Sequence, residues 1–117
     1  MQDFRKLKVW EKSHSFVLDI YTATEAFPRT ELYGLTSQLR RSAMSVPMNI
    51  AEGCGRGSDA DFGRFLQMSL GSACEADYQI LLSSDLKFLN AAAYDRLQRS
   101  IQEVKRMLSG LLQKVKG

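Results

Sequence analysis

The sequence predicts an all-α protein, an antiparallel up-down-up-down four-helix bundle. Apolar residues recur at spacings of three and four along four segments, and no segment alternates with the period of two that marks a half-buried strand. The connections between segments are short, so successive helices must run antiparallel. The 117 residues make one domain over residues 1–117, enough to bury a core without staples. The helices are expected at about residues 7–26, 31–54, 58–85 and 90–115. At 1.5 Å per residue, helices of this kind are roughly 30 to 37 Å long.

In the first helix, Val9, Ser13, Phe16, Ile20, Ala23 and Phe27 fall on one face, widened by Trp10, Val17 and Tyr21. Phe27-Pro28 ends it, because a residue before proline avoids the helical region. Thr30 can cap the second helix, whose buried stripe reads Leu32, Leu35, Leu39, Ala43, Val46 and Ile50. Pro47 lies inside this helix, where a proline costs roughly 3 kcal/mol and frees a carbonyl four residues back. Asn49 and Glu52 stand close enough to serve the backbone freed there and in the loop beyond. Gly53, Gly55 and Gly57 are expected to end the helix in the left-handed conformation.

The third helix opens with Ser58-Asp59-Ala60-Asp61, a cap with acidic residues at the positive end of the helix dipole. Phe62, Phe65, Leu66, Ser69, Ala73, Ala76 and Ile80 follow at helical spacing. Its small stretch Ser69, Gly71, Ser72, Ala73 and Ala76 predicts a close helix–helix contact, within the chain in preference to between subunits. Asn90 caps the fourth helix, where Tyr94, Leu97, Ile101, Val104, Leu108, Leu111 and Val115 keep a strict 3.5-residue period. Such a period implies left-handed packing of the coiled-coil kind.

Composition narrows the function classes. Hydrophobic residues are 44% and charged residues 25%, and no apolar run reaches the ~18 residues that span a bilayer, so no membrane partner is expected. The charged start MQDFRKLKVWEK is no signal peptide, which makes a cytoplasmic location the expectation. Cys54 and Cys74 are expected to be reduced packing residues, and His14 a surface or boundary residue. Glu-x-x-His pairs, GxGxxG and GxxxxGK[ST] are all missing. A non-enzymatic protein with no catalytic residue, metal or cofactor is therefore expected.

Charge is unevenly spread over a net +3. From Arg96 to Gly117 the basic residues Arg96, Arg99, Lys105, Arg106, Lys114 and Lys116 face Glu103 alone. From Gly57 to Asp95, Asp59, Asp61, Glu75, Asp77, Asp85 and Asp95 outnumber Arg64 and Lys87. These are either solvated helix faces, or a basic surface for phosphates, or opposite charges that meet between subunits. Arg40 and Arg41 flank the buried stripe of the second helix and carry the guanidinium fork suited to phosphate. Arg56 stands four residues after Glu52, the favourable order for an ion pair. Arg40, Arg41, Arg56, Arg96, Arg99, Lys105, Arg106, Lys114 and Lys116 are thus the candidate RNA or DNA contacts. Pro47, Asn49, Glu52 and Gly53 are assigned structural roles.

Tyr33 to Ala43, followed by Val46-Pro47-x-Asn49-Ile50-Ala51-Glu52-Gly53, resembles the bacterial four-helix bundle proteins encoded in 23S rRNA intervening sequences. Phe4, Leu7, Val9, Trp10 and Phe27-Pro28 match the opening of that family, and Gly55-Arg56, Arg64-Phe65-Leu66, Gly71-Ser72 and Glu75 extend the match. The family usually has serine at the position of Met48, and leucine and glutamate at those of Ala76 and Asp77. The resemblance implies a homopentameric ring. It also implies kinship to an accessory protein of diversity-generating retroelements, a basic barrel that engages a reverse transcriptase and nucleic acid. Nucleic-acid binding by an oligomer, or a scaffold for a protein partner such as a reverse transcriptase, are the two functions expected.

Overall fold

The structure is a computed structural model and describes residues 2–116. A short 3-10 turn, Phe4–Lys6, precedes four helices: α1 (Lys8–Thr24), α2 (Leu35–Cys54), α3 (Asp59–Asp85) and α4 (Ala91–Lys116). Among the described residues there is no strand. Each helix packs on its neighbours in the chain, and α1 closes the arrangement by packing on α4. Contacts run in opposite chain directions. Tyr21 meets Met44 and Thr24 meets Arg40 between α1 and α2, while Asp77 meets Lys105 and Gly63 approaches Val115 between α3 and α4. The longest dimension, 43 Å, is close to the ~40 Å that the 27 residues of α3 span as a helix.

The core is continuous along the bundle. Phe16, Ile20, Leu39, Val46, Ile50, Leu66, Ile80, Leu97, Ile101 and Leu108 are its fully buried large side chains. The stripe on α4 departs from the strict heptad. Its buried residues are Leu97, Ile101, Val104, Leu108 and Leu112, with Leu111 and Val115 only partly covered. The step of four in place of three between Leu108 and Leu112 breaks the 3.5-residue repeat.

Helix ends follow local chemistry. Ser58 Oγ accepts from Asp61 N at 3.2 Å, and Asn90 Oδ1 accepts from Ala93 N at 2.8 Å, as their positions before helical runs predict. The end of α3 is a Schellman turn. Phe88 N donates to Ser83 O, Lys87 N donates to Ser84 O, and Lys87 takes the left-handed conformation at φ 68°.

The start of α2 differs from expectation. Helix was expected from residue 31 with Thr30 as its cap. The chain instead makes a 3-10 turn at Arg29–Glu31 and enters α2 at Leu35. Gly34 is the N-cap, and Glu31 Oε1 accepts the Leu35 N–H at 3.1 Å. A Cβ on Gly34 would stand 2.9 Å from that carboxylate oxygen, so only glycine lets Glu31 come this close. Leu32, expected in the buried stripe, lies in the loop and is exposed.

Helix α2 runs through Pro47 unbroken, and Pro47 is buried. Asn49 Nδ2 donates to Ser45 O at 2.9 Å, and Ser69 Oγ of α3 donates to Val46 O at 2.9 Å. The carbonyl that Pro47 deprives of its donor is Ala43 O, and these two bonds go to other carbonyls of the same stretch. Glu52 takes no part. It is exposed and meets Arg56 at 3.9 Å, which corrects the backbone role expected of it. The role of Gly53 is also different. No glycine among the described residues has positive φ, and Gly53 lies inside α2. A Cβ there would meet Phe65 Cβ at 2.9 Å and Phe62 Cδ1 at 3.1 Å, so Gly53 serves the close approach of α3. Ser69, Ala73 and Ala76, all fully buried, continue the small surface of α3. Cys54 is buried and its thiol pKa is raised, first by burial and then by the charge of Asp3. Cys74 is exposed, so it is not the packing residue expected.

Candidate nucleic-acid interface

The nine candidate basic residues do not converge on one patch. Arg40 and Arg41 lie in the first half of α2, on the side toward the end of α1. Arg56 lies just past the other end of the same helix. The remaining six are on α4, which packs beside α1 and α3 and is not a neighbour of α2.

Three of them are tied to carboxylates. Lys105 Nζ sits 2.9 Å from Asp77 Oδ2 across the α3–α4 seam, with both side chains about three-quarters buried. Gln102 Nε2 also donates to Asp77 at 2.9 Å. Burial raises the Asp77 pKa, but the hydrogen bonds from Lys105 and Gln102 and the charge of Lys105 outweigh it, so the carboxyl is held below its usual range. The hydrogen bond to Asp77 in turn raises Lys105 against the opposing effect of burial. Lys105 is therefore part of the bundle's own packing, not a free contact. Arg99 pairs with Asp95 at 3.0 Å and Arg56 with Glu52 at 3.9 Å, both exposed, where such pairs contribute about 0–1 kcal/mol and open readily. Arg56 and Arg64 also each stand 4.7 Å from the Phe65 ring centre.

The rest of α4 is open. Arg96, Arg106, Lys114 and Lys116 are exposed and form no ion pair among the described residues. Arg96, Arg99, Glu103, Arg106 and Gly110 follow at steps of three and four, so they share one helix face. Glu103, the acid within it, is engaged by Lys12 of α1 at 3.3 Å. Beside this face, Leu7, Val9, Met107, Gly110 and Leu111 form an apolar groove of about 350 Å³ between Lys8 and Lys114.

Arg40 is held differently. Its Nε donates to Thr24 Oγ1 at 2.8 Å, and Thr24 Oγ1 donates onward to Ile20 O at 2.7 Å. The guanidinium carbon lies 4.6 Å from the centre of the Tyr21 ring. Half-buried and fixed by two neighbours, Arg40 has no carboxylate partner among the described residues. It lines a groove of about 380 Å³ with Tyr21, Leu32, Tyr33, Thr36, Ser37, Arg41 and Met44. Tyr21, Thr24 and Thr36 escaped the sequence reading as site residues. Thr36 and Arg40 stand four apart on one face of α2, but Tyr33 lies in the turn before the helix, so only the fold brings it beside them.

His14 stacks on Trp10, with ring centres 4.9 Å apart and planes 8° from parallel, and it is exposed. Among the described residues no three His, Cys, Asp or Glu side chains gather as a metal site would need. No helix of the described residues is long and apolar enough to cross a membrane.

No curated protein matches the chain. A solved structure from Bacteroides thetaiotaomicron, a protein of unknown function from the S23 ribosomal protein family, is similar in fold. Its TM-score is 0.82 at 24% identity, over 89% of this chain and 97% of that one. The model of the 23S rRNA-intervening sequence protein family matches residues 5–110, and the chain with its four-helix fold belongs to that family.

Proposed function

We propose that this protein is a non-enzymatic, self-assembling bundle that binds the phosphate backbone of RNA or DNA. The open basic face of α4 carries the reading: Arg96, Arg106 and Lys114 share it, exposed and unpaired among the described residues, while Lys116, also exposed, lies on another side of the helix. Arg99 adds to them when its exposed pair with Asp95 opens. Lysines and arginines in this state can exchange counterions for phosphates, which gives affinity with little sequence preference. Left-handed packing and a homopentameric ring belong to the same proposal. The alternating steps of three and four from Tyr94 to Leu108 support the first, and the resemblance of the Tyr33–Gly53 motif supports the second. A ring would repeat one weak face several times and raise avidity with no new contact.

Binding of a structured RNA across a salt series tests this reading. Four phosphate contacts per protomer predict a log–log slope of roughly −3 to −4 for each protomer engaged. Reversing Arg106 and Lys114 to glutamate should remove most of the binding. An absence of binding at low salt would overturn the reading. Light scattering tests the ring, and a single species of 13.2 kDa would exclude it.

A second reading, a scaffold for a protein partner such as a reverse transcriptase, draws on a different observation. Leu18, Met48, Tyr78 and Leu81 are large apolar side chains left in solvent on α1, α2 and α3. Charge reversal on α4 would leave such a contact intact, which separates the two readings.

A further inference from the structure

We propose that the groove at the start of α2 is a nucleotide site, in which Arg40, Arg41 and Thr36 hold a phosphate and Tyr33 stacks on an unpaired base. The inference rests on the nucleic-acid reading above and goes beyond it, because it assigns a single-strand site on a different side of the bundle from α4.

Three observations meet there. The first is the state of Arg40. A partly desolvated guanidinium normally faces a carboxylate. Here Tyr21 and Thr24 fix its position and no acid pairs with it among the described residues. Only its Nε is spent on Thr24, so the two terminal nitrogens keep the fork that suits phosphate oxygens.

The second is Thr36, 3% exposed, whose Oγ1 is buried with no hydrogen-bond partner. A buried hydroxyl left unsatisfied is costly, and a χ1 turn that brings it to the groove wall would let a ligand oxygen relieve it. Thr36 lies in the first turn of α2, at the positive end of that helix dipole. Glu31 accepts the Leu35 N–H at the cap, and Glu25 lines an adjoining groove that shares Thr36 and Arg40 but forms no ion pair with Arg40; among the described residues the Tyr33 groove itself has no acidic lining.

The third is Tyr33, which lines the same groove and is 92% exposed. An aromatic ring so open, beside two arginines, is what single-strand binders place under a splayed base. The groove volume of about 380 Å³ falls within the ~300–1,000 Å³ of small-ligand sites. A duplex keeps its bases stacked and paired, so the groove favours a single strand.

Fluorescence anisotropy at low salt tests the assignment, with a labelled ten-nucleotide oligoadenylate and an RNA hairpin as probes. Tyr33→Ala should weaken the oligoadenylate about tenfold and the hairpin less than twofold, while Tyr33→Phe should bind as the parent does. Thr36→Val and Arg40→Gln should each weaken the oligoadenylate severalfold. Adenosine 5′-monophosphate should compete at lower concentration than inorganic phosphate, and equal competition would overturn the stacking assignment. Unchanged binding of Tyr33→Ala, with loss in the Arg106→Glu/Lys114→Glu variant, would overturn this site and leave the α4 reading standing. A fall in assembly mass for Tyr33→Ala, measured by light scattering, would assign the groove to contacts between copies and overturn the proposal.

Discussion

Ser69 and Thr36 carry the same chemical group at nearly the same depth, yet only one of them is engaged. Ser69 lies in the α2–α3 seam and donates to Val46 O, while Thr36 lies at the α1–α2 end and its Oγ1 has no partner. Along the Ser69 seam the helices come close, and a Cβ on Gly53 would already stand 2.9 Å from Phe65. Around Thr36 stand a half-buried arginine without a carboxylate and an open tyrosine. The difference teaches that one helix, α2, is built for packing at one end and keeps polar capacity in reserve at the other.

Gly53→Val should have the largest effect. The added side chain would start 2.9 Å from Phe65 Cβ, and forcing the helices apart should cost about 3 kcal/mol in urea unfolding. Equal stability of this variant would break the claim that the α2–α3 seam is the close-packed region. Asp77→Asn extends the contrast to charges, because Lys105 is paired where Arg40 is not. The depressed Asp77 carboxyl contributes stability above the usual aspartate range, and that contribution is lost as pH falls through its lower folded value. The raised Lys105 keeps its share below the usual lysine range and loses it as pH rises through the higher folded value. Asn at 77 should thus cost about 1.5 kcal/mol at neutral pH, with the two unfolding curves converging in strong acid.

Ser69→Ala should cost about 1 kcal/mol by losing one buried hydrogen bond. Thr36→Val should act in the opposite direction and raise stability by about 0.5 kcal/mol, since a methyl replaces an unsatisfied hydroxyl of similar shape. Opposite signs at the two positions, read from the same thermal or urea melts, would sharpen the comparison. A loss at both would show that Thr36 is engaged in the folded protein.

The helices were legible because their burial patterns are local and periodic. Ser58 and Asn90 announce α3 and α4 through cap chemistry that needs only three residues of context. The entry to α2 was not legible, because Glu31 rather than Thr30 satisfies the first N–H, and that depends on Gly34 admitting its carboxylate. The candidate site was read in part. Arg40 and Arg41 stood out as charges, but the sequence could not separate Arg40, held by Tyr21 and Thr24, from Lys105, held by Asp77. Those partners lie 16 or more residues away in the chain, and which cation meets which acid is set by how helices pair.

By itself, then, the sequence determined the all-α class, the approximate helix limits, the core faces and the family motif, because propensity, capping and periodicity act over a few residues. Tertiary structure decided what the polar and small residues do. It turned Gly53 from a helix stop into a contact surface, turned Glu52 from a backbone partner into an exposed ion pair, and drew Lys105 out of the open basic set. It also left Arg40 and Thr36 unpaired beside Tyr33. The physical reason is the same in each case. The free energy of a charge, a hydroxyl or a missing side chain depends on what a neighbouring helix brings within about 3 to 4 Å, and only the packed bundle fixes those distances.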